Sequence, residues 1–476
     1  MSLPILRLAV VGHTNTGKTS LLRTLTRSVD FGEVSPRPAT TRQVEGTAIL
    51  LAGTPVMEMY DTPGLEDSIG LLDLLDGLAG KRRADGLEVV RQFLDSRAAK
   101  KRFGQEAKAL RQVLESDLAL YVIDARDRVL GKHRDELEIL ARCATPVVPV
   151  LNFTADPDAQ VALWRDQLAR TNMHAVAEFD TVVVDEMSEQ RLFEKMKTLL
   201  DSHSATLDAL IVERRELRAT LMRASADLTA DLLLDAAAVV VPVPVDDEPA
   251  LAKGLEQLRR LIRDREQRSV EQLLALHQFR ERDYEPDDTP LVDGQWGLDL
   301  FSPQAVKQFG LKAGGAAAAG ALVGLMLDAM TGGLTGGAMT VTGATVGGLL
   351  GVGRTHGRRL LDRARGTTEL RCDDNTLRLL ALRQIMLTRS LLRRGHAAVT
   401  PVPAPSPTSL AETLKRSLKR MPSALDKART RPTWTKIGNT AASRPADPGR
   451  AAAQTDVSKA ILKVLQRPAD QPLMFP

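Results

Sequence analysis

Eight residues near the start of the chain, Gly12-His13-Thr14-Asn15-Thr16-Gly17-Lys18-Thr19, fit the pattern G-x-x-x-x-G-K-(S/T). The apolar run Ile5–Val11 before them reads as a β-strand. Ser20–Leu25 after them opens a helix. A glycine-rich turn between strand and helix points backbone N–H groups inward and sets a helix N-terminus beneath an anion. Lys18 is long enough to reach the outer phosphates of a nucleotide, and the Thr19 hydroxyl suits Mg²⁺. Gly12, Asn15, Thr16, Gly17, Lys18, Thr19 and Ser20 are therefore candidate nucleotide-binding residues. A turn of this kind needs a strand and a helix packed on it, which predicts an α/β architecture at the N-terminal end.

A second motif supports the first. Asp61-Thr62-Pro63-Gly64 follows Val56–Tyr60, which reads as another strand. An aspartate ending a strand beside the phosphate loop can hold Mg²⁺ through water. Gly64 can offer its N–H to a γ-phosphate. Between the motifs lies Pro38-Ala39-Thr40-Thr41-Arg42, where a threonine can complete the Mg²⁺ shell and release it after hydrolysis. Thr41 is preferred over Thr40. The candidate catalytic set is Lys18, Thr41 and Gly64, and the candidate Mg²⁺ ligands are Thr19, Thr41 and Asp61.

Taken together, these residues resemble the small GTPases of the Era, MnmE and Der group over roughly residues 1–200. The resemblance implies a mostly parallel sheet with helices on both faces, GTP and GDP as ligands, and hydrolysis of GTP to GDP and phosphate. Leu65 stands where Ras-like proteins carry a catalytic glutamine. Asn15 stands where potassium-activated members carry an asparagine, which implies a K⁺ site and K⁺-stimulated hydrolysis, coupled to G domains facing each other in a homodimer. A bound cation neutralises charge that develops on the transferring phosphoryl group.

The guanine-reading motif N-K-x-D departs from the pattern. Asn152 follows the apolar run Val147–Leu151, but Phe153 replaces the lysine, Ala155 holds the fourth position, and Asp156 comes one residue late. Asn152 and Asp156 are the candidate base contacts. A last base-contacting loop is expected after a strand at Thr181–Val184. The stretch from Gly64 to the apolar run Leu118–Asp124 is long and contains helix-like segments at Glu88–Leu94 and Phe103–Leu114. Residues 65–117 read either as an enlarged switch II, hinged at the γ-phosphate sensor, or as an insertion that only packs.

A chain of 476 residues calls for more than one domain. Aromatic residues make up only 3%, which disfavours stacking-based nucleic-acid readers. Cys143 and Cys372 have no metal spacing and suit a reducing compartment. The first strand begins within a few residues of Met1, so no signal peptide is expected. The net charge of +4 is uneven. From Ala397 onward 13 Lys/Arg stand against 5 Asp/Glu, a surplus of eight that leaves the rest of the chain at −4. A nucleic-acid partner is not indicated by such a body.

Residues 201–397 read as a helical domain. Leu207, Leu210, Ile211, Leu217, Leu221 and Leu228 recur near helical spacing, as do Leu251, Leu255, Leu258, Leu261 and Ile262. Pro242-Val243-Pro244 breaks the pattern. Residues 313–353 carry 13 glycines and one charged residue, Asp328. Small residues at four-residue spacing (Gly320/Gly324, Gly332/Gly336, Gly343/Gly347/Gly351) allow close helix approach. Lys307 and Lys312 on one side, and Arg354, Arg358 and Arg359 on the other, fit a hairpin with both ends cytoplasmic. This segment is the candidate contact with the inner membrane, and the expected location is its cytoplasmic face. The soluble alternative is a Gly-zipped pair buried in the helical domain.

With Asp293-Gly294-Gln295-Trp296-Gly297 and the leucine-rich Leu377–Arg383 added, residues 1–397 resemble proteobacterial GTPases that carry a C-terminal domain of unknown function. The likeness implies GTP binding and no pathway. Residues 398–476 are rich in Pro, Ala, Ser and Arg and are expected to be a disordered basic tail. Within it, Leu410, Leu414 and Leu418 beside Lys415, Arg416, Lys419 and Arg420 form a candidate lipid-facing helix, and Val457–Leu465 is a helical candidate for docking a partner. The reading is a membrane-associated GTPase switch. Two alternatives stand beside it: a soluble GTPase in ribosome or RNA maturation, and a nucleotide-binding scaffold with little turnover.

Overall fold

The structure is a computed structural model and describes residues 3–27, 44–80, 85–182, 187–244, 247–279, 291–292, 295–296, 367–393, 421–437 and 447–467. These divide into two compact units, split between Leu217 and Arg218.

The first unit is built on a six-stranded sheet. Its strands are β1 (Leu6–Val11), β2 (Glu45–Leu51), β3 (Thr54–Asp61), β4 (Leu118–Asp124), β5 (Val147–Asn152) and β6 (Ala177–Glu178), in the order β2-β3-β1-β4-β5-β6. β2 pairs antiparallel with β3, and every other pairing is parallel. Strands in a sheet covered on both faces can be apolar throughout. β4 comes close to this: all seven of its residues are buried, and Leu118–Ile123 are apolar but for the Tyr121 hydroxyl. Successive side chains go to opposite faces: Leu118, Leu120 and Val122 enter one apolar core with Leu8 and Val10, while Ala119, Tyr121 and Ile123 enter a second with Ala9 and Val11.

The first of these cores is closed by α1 (Lys18–Thr26), α8 (Ser188–Lys197) and the first part of α9 (Ser204–Ala238), through Leu21, Leu22, Leu192, Phe193, Leu207 and Leu210. The second is closed by α2 (Ser68–Ala79), α3 (Gly86–Asp95), α4 (Arg97–Lys100), α5 (Gly104–Leu114), α6 (Gly131–Arg142) and α7 (Val161–Arg170). The long segment after Gly64 is therefore largely helical. Leu71, Leu75, Val90, Phe93, Leu110 and Val113 are fully buried in that core. At about 1.5–3 kcal/mol for each fully buried large apolar side chain, α2, α3 and α5 are structural parts of the domain.

One strand expectation is corrected. β6 is Ala177–Glu178, not Thr181–Val184. Asp180 and Thr181 already lie in the following loop, and residues 183–186 lie outside the described residues. Asp180 turns the chain there: its Oδ1 accepts from Val182 N–H at 2.8 Å.

The second unit holds the rest of α9, β7 (Val240–Pro244), α10 (Glu248–Leu276), β8 (Leu291–Val292), β9 (Gln295–Trp296), β10 (Thr367–Arg371), α11 (Asp374–Arg393), α12 (Ser423–Arg429) and α13 (Pro448–Leu465). The helical repeats expected from Leu207 to Leu228 and from Leu251 to Ile262 fall on α9 and α10, and the leucine-rich Leu377–Arg383 lies within α11. The Pro242-Val243-Pro244 break is itself strand β7, paired antiparallel with β10 from Thr367↔Pro244 to Arg371↔Val240. Its alternate residues Val241 and Val243 are buried while Pro242 and Pro244 face outward, a position where a missing N–H is tolerated. α10 lies tightly on this ribbon. A Cβ at Gly254 would stand 2.4 Å from Val243 Cγ1. β8 and β9 pair antiparallel, Leu291 with Trp296 and Val292 with Gln295.

The tail expectation is corrected for residues 421–437 and 447–467. They form α12, a 3-10 turn at Pro432–Trp434, and α13. Leu425, Ala428, Trp434, Val457, Ile461, Val464 and Leu465 join the core made by α9, α10 and α11. The Val457–Leu465 helix thus docks on its own chain. Asp447 caps α13, accepting from Gly449 N–H at 2.7 Å and from Trp434 Nε1–H at 2.8 Å. The 313–353 hairpin and the Leu410–Leu418 segment lie outside the described residues.

Candidate functional site

β1 is central in its sheet, and its register with β3 (Val10↔Asp61) delivers two sequence motifs to the same sheet edge. The turn after β1 departs from ordinary backbone at two glycines. Gly12 has φ 143° and Gly17 φ 91°, and a Cβ on Gly17 would stand 2.3 Å from Asn152 Nδ2. α1 starts at Lys18 with no side-chain cap on its N-terminus, which leaves its first N–H groups to an anion.

The predicted residues meet here. Lys18 is buried. Its Nζ donates to His13 O at 2.8 Å and Gly12 O at 3.2 Å, spanning the loop that it would serve. Burial pushes the Lys18 ammonium down from its ordinary pKa, and Asp61, Glu136 and Glu66 oppose that shift. The Thr19 hydroxyl donates to Asp61 Oδ2, so the two candidate Mg²⁺ ligands touch. Thr62 ties the end of β3 back to β1 by donating to Val10 O at 2.7 Å. Gly64 lies against the phosphate loop. A Cβ there would be 2.7 Å from Thr14 Oγ1. Thr16 is buried and its hydroxyl donates to His13 O at 3.0 Å. Asn15 is exposed in the left-handed region at φ 64°, and Ser20 follows on α1. Thr41 lies outside the described residues.

Asn152, fully buried at the end of β5, ties three loops together. Its Nδ2 donates to Thr16 O at 2.9 Å, and its Oδ1 accepts from Phe153 N–H and Thr181 N–H, both at 2.9 Å. It joins the phosphate loop, its own loop and the loop after β6. Asp156 has other partners. Its Oδ1 accepts from Asp158 N–H at 2.9 Å, and its Oδ2 lies 3.8 Å from the Arg126 guanidinium. Arg126 is held by Asp124 at 2.6 Å and lies 4.1 Å over the Phe153 ring. At the fourth motif position, Ala155 N–H donates to Asp180 Oδ2 at 2.9 Å.

Sequence reasoning missed a triad made of buried Glu136 and Tyr121 and the half-buried His13 of the loop. Glu136 on α6 is fully buried. Its Oε1 lies 3.1 Å from His13 Nδ1, and its Oε2 accepts from Tyr121 O–H at 2.6 Å. Burial, then the Glu136 charge, raises the Tyr121 hydroxyl well above its ordinary pKa, so it stays a donor. The signal was present: a tyrosine inside the apolar run Leu118–Ile123, and a glutamate on the apolar face of α6. Leu65, the hydrophobic residue after the Gly64 motif, is fully buried in the core with Ala9 and Val11, so its side chain is packed away from solvent.

Residues 165–455 match the family described as a domain of unknown function (DUF3482), more than half of the chain. The chain belongs to the DUF3482 family. In this DUF3482 protein, residues 7–153 match the family described as 50S ribosome-binding GTPase and form a P-loop GTPase domain. The chain is similar to the tRNA modification GTPase MnmE of Synechococcus elongatus, 27% identical over 134 residues, 28% of each chain. It is also similar to MnmE of Granulibacter bethesdensis, 36% identical over 86 residues, covering 18% of this chain and 19% of that one. The chain thus spans little more than a quarter of the length of the first of these relatives. Among solved structures, Era in complex with MgGDPNP and nucleotides 1506–1542 of 16S ribosomal RNA is matched at 17% identity, over 42% of this chain and 57% of that one, with a TM-score of 0.30.

Proposed function

We propose that this chain binds GTP with Mg²⁺ and hydrolyses it to GDP and phosphate, as a switch whose nucleotide state is read by the rest of the protein. The observation that carries the reading is the meeting of Lys18, Thr19 and Asp61 at the sheet edge set by the Val10↔Asp61 register. Thr19 and Asp61 fit an Mg²⁺ ion, since a hydroxyl and a carboxylate already share one point beside the Lys18 ammonium. When bound, the ion neutralises charge on the β- and γ-phosphates. Lys18 binds the outer phosphates, the N–H groups of the 12–19 turn cradle them, and Gly64 N–H marks the γ-phosphate. Thr41 is the proposed further Mg²⁺ ligand. Asn152 orders the base side, with Asp156 as the base contact once it leaves Arg126.

Hydrolysis is proposed to rise in K⁺, with Asn15 supplying an oxygen ligand from an exposed left-handed turn and facing G domains completing the cation site. The test compares GTP and ATP turnover in KCl and NaCl, with Asn15→Ala. GTP turnover that rises in K⁺, and does so only with Asn15 present, supports the reading. ATP preference overturns it.

The proposed location is the cytoplasmic face of the inner membrane, through residues 313–353, whose near absence of charge supports it. Among the described residues no helix is long and apolar enough to cross a membrane. Membrane fractionation before and after deletion of 313–353 tests this, and a soluble intact chain rejects it. The names of the MnmE relatives favour one other reading, a GTPase acting on RNA. Salt-sensitive RNA binding by the full chain would support that reading instead.

A further inference from the structure

We propose that Glu66 is the catalytic carboxylate of this GTPase, orienting the attacking water and accepting its proton; the inference rests on the hydrolytic reading above.

Three carboxylates lie close enough to Lys18 for their charge to act on its ammonium: Asp61, Glu136 and Glu66. Two are committed. Asp61 is buried and meets the Thr19 hydroxyl. Glu136 is fully buried between Tyr121 and His13. Glu66 is exposed, and its Oε1 accepts from the hydroxyl of Thr14, inside the phosphate loop, at 3.1 Å. It is therefore both open to solvent and in contact with the phosphate loop, so a water molecule can reach it there.

The backbone around Glu66 is held at both ends. Upstream, Thr62 is bonded to Val10 O, and Gly64 lies against Thr14. Fully buried Leu65 pins the chain from below, so that the next side chain turns out toward the loop. Downstream, Asp67 caps α2 by accepting from Gly70 N–H at 3.0 Å and pairs with Arg102 at 2.8 Å, while its own N–H donates to Glu106 at 3.2 Å. Asp67 is thus occupied by structure, and Glu66 is presented from a fixed turn. Such preorganisation is what a water-positioning group requires. The Thr14 hydroxyl can hold one carboxylate oxygen and leave the other for water.

In the step, the water oxygen forms a bond to the γ-phosphorus as the bond from that phosphorus to the β–γ bridging oxygen breaks. The bridging oxygen departs on GDP with the electron pair. The water proton passes to Glu66 and from there to the released phosphate.

The test uses the full chain, single-turnover GTP hydrolysis, and titration with a fluorescent GDP analogue, for wild type, Glu66→Gln and Glu66→Asp. Glu66→Gln is expected to slow hydrolysis by about 100-fold with little change in affinity, the scale of a lost general base. Glu66→Asp keeps the carboxylate and should recover part of that rate. A Glu66→Gln rate within about twofold of wild type overturns the assignment. A loss of affinity as large as the loss of rate also overturns it, because Glu66 would then only support the loop. A wild type that binds GTP without turnover overturns the hydrolytic reading itself, and this assignment with it, before any substitution is made.

Discussion

Asn152 Nδ2 donates to Thr16 O at 2.9 Å, joining two loops separated by 136 residues of sequence. The base-side loop and the phosphate loop are thereby one mechanical unit. A residue predicted to read the nucleotide also holds the cradle in shape.

Replacing Asn152 with Ala removes one buried donor and an acceptor used by two N–H groups. Each buried group left unpaired costs about 1–3 kcal/mol. Nucleotide affinity is expected to fall at least about 10-fold, the equivalent of about 1.4 kcal/mol, with a lower melting temperature. Fluorescent-nucleotide titration and thermal unfolding measure both. Unchanged affinity would mean that the tether is not needed.

Gly17→Ala places a methyl 2.3 Å from Asn152 Nδ2 at a backbone φ of 91°. Both the contact and the conformation oppose any side chain. Binding of GDP should be lost while the fold of the second unit persists. Circular dichroism beside nucleotide titration separates the two effects.

In the second unit, Arg450 on α13 donates to Asp231 at 2.7 Å and to fully buried Asp235 at 2.9 Å, and Arg265 on α10 reaches the same pair at 2.9 and 2.7 Å. Arg450→Met strands part of a buried charge pair, an effect of about 3 kcal/mol. The melting temperature should drop by several degrees. A drop no larger than that of a surface substitution would show that α13 is held by its apolar face alone.

Two carboxyls give the second unit opposite responses to pH. At Asp231 burial opposes ionisation, but Lys436 and Arg450 outweigh it and hold its pKa below the ordinary 3.8. Its contribution is present above about pH 4 and lost as pH falls through the folded value. Burial pushes Asp373 up to about 6 despite its bonds to Thr376. Its favourable contribution is full below the unfolded value and lost as pH rises through about 6. Denaturant unfolding of wild type and Asp373→Asn should show the wild type losing ground to the variant between about pH 4 and pH 7. A pH-independent difference would place the shift elsewhere.

The sequence by itself determined the nucleotide end of this protein. A glycine turn needs only local backbone freedom, and strands such as Leu6–Val11 and Leu118–Asp124 announce themselves by their largely apolar character. Lys18, Thr19, Asp61 and Gly64 were therefore legible as a set, and the structure brings them together. The long helices α9 and α10 were legible for a similar reason, since their apolar spacing is local.

Tertiary structure decided the rest, because spacing along a chain does not say which distant groups will meet. Leu65 was judged by its place in a motif, yet packing buries it and leaves Glu66 at the phosphate loop. Glu136 and Tyr121 are ordinary residues until the β1–β4 pairing and the packing of α6 set them behind His13. Residues 421–437 and 447–467 looked like part of a disordered basic tail because arginine, proline and alanine dominate. Their few large apolar side chains, Leu425, Trp434, Val457 and Ile461, gain their stabilisation only against α9, α10 and α11, where Asp231 and Asp235 also offset the charge of Arg450.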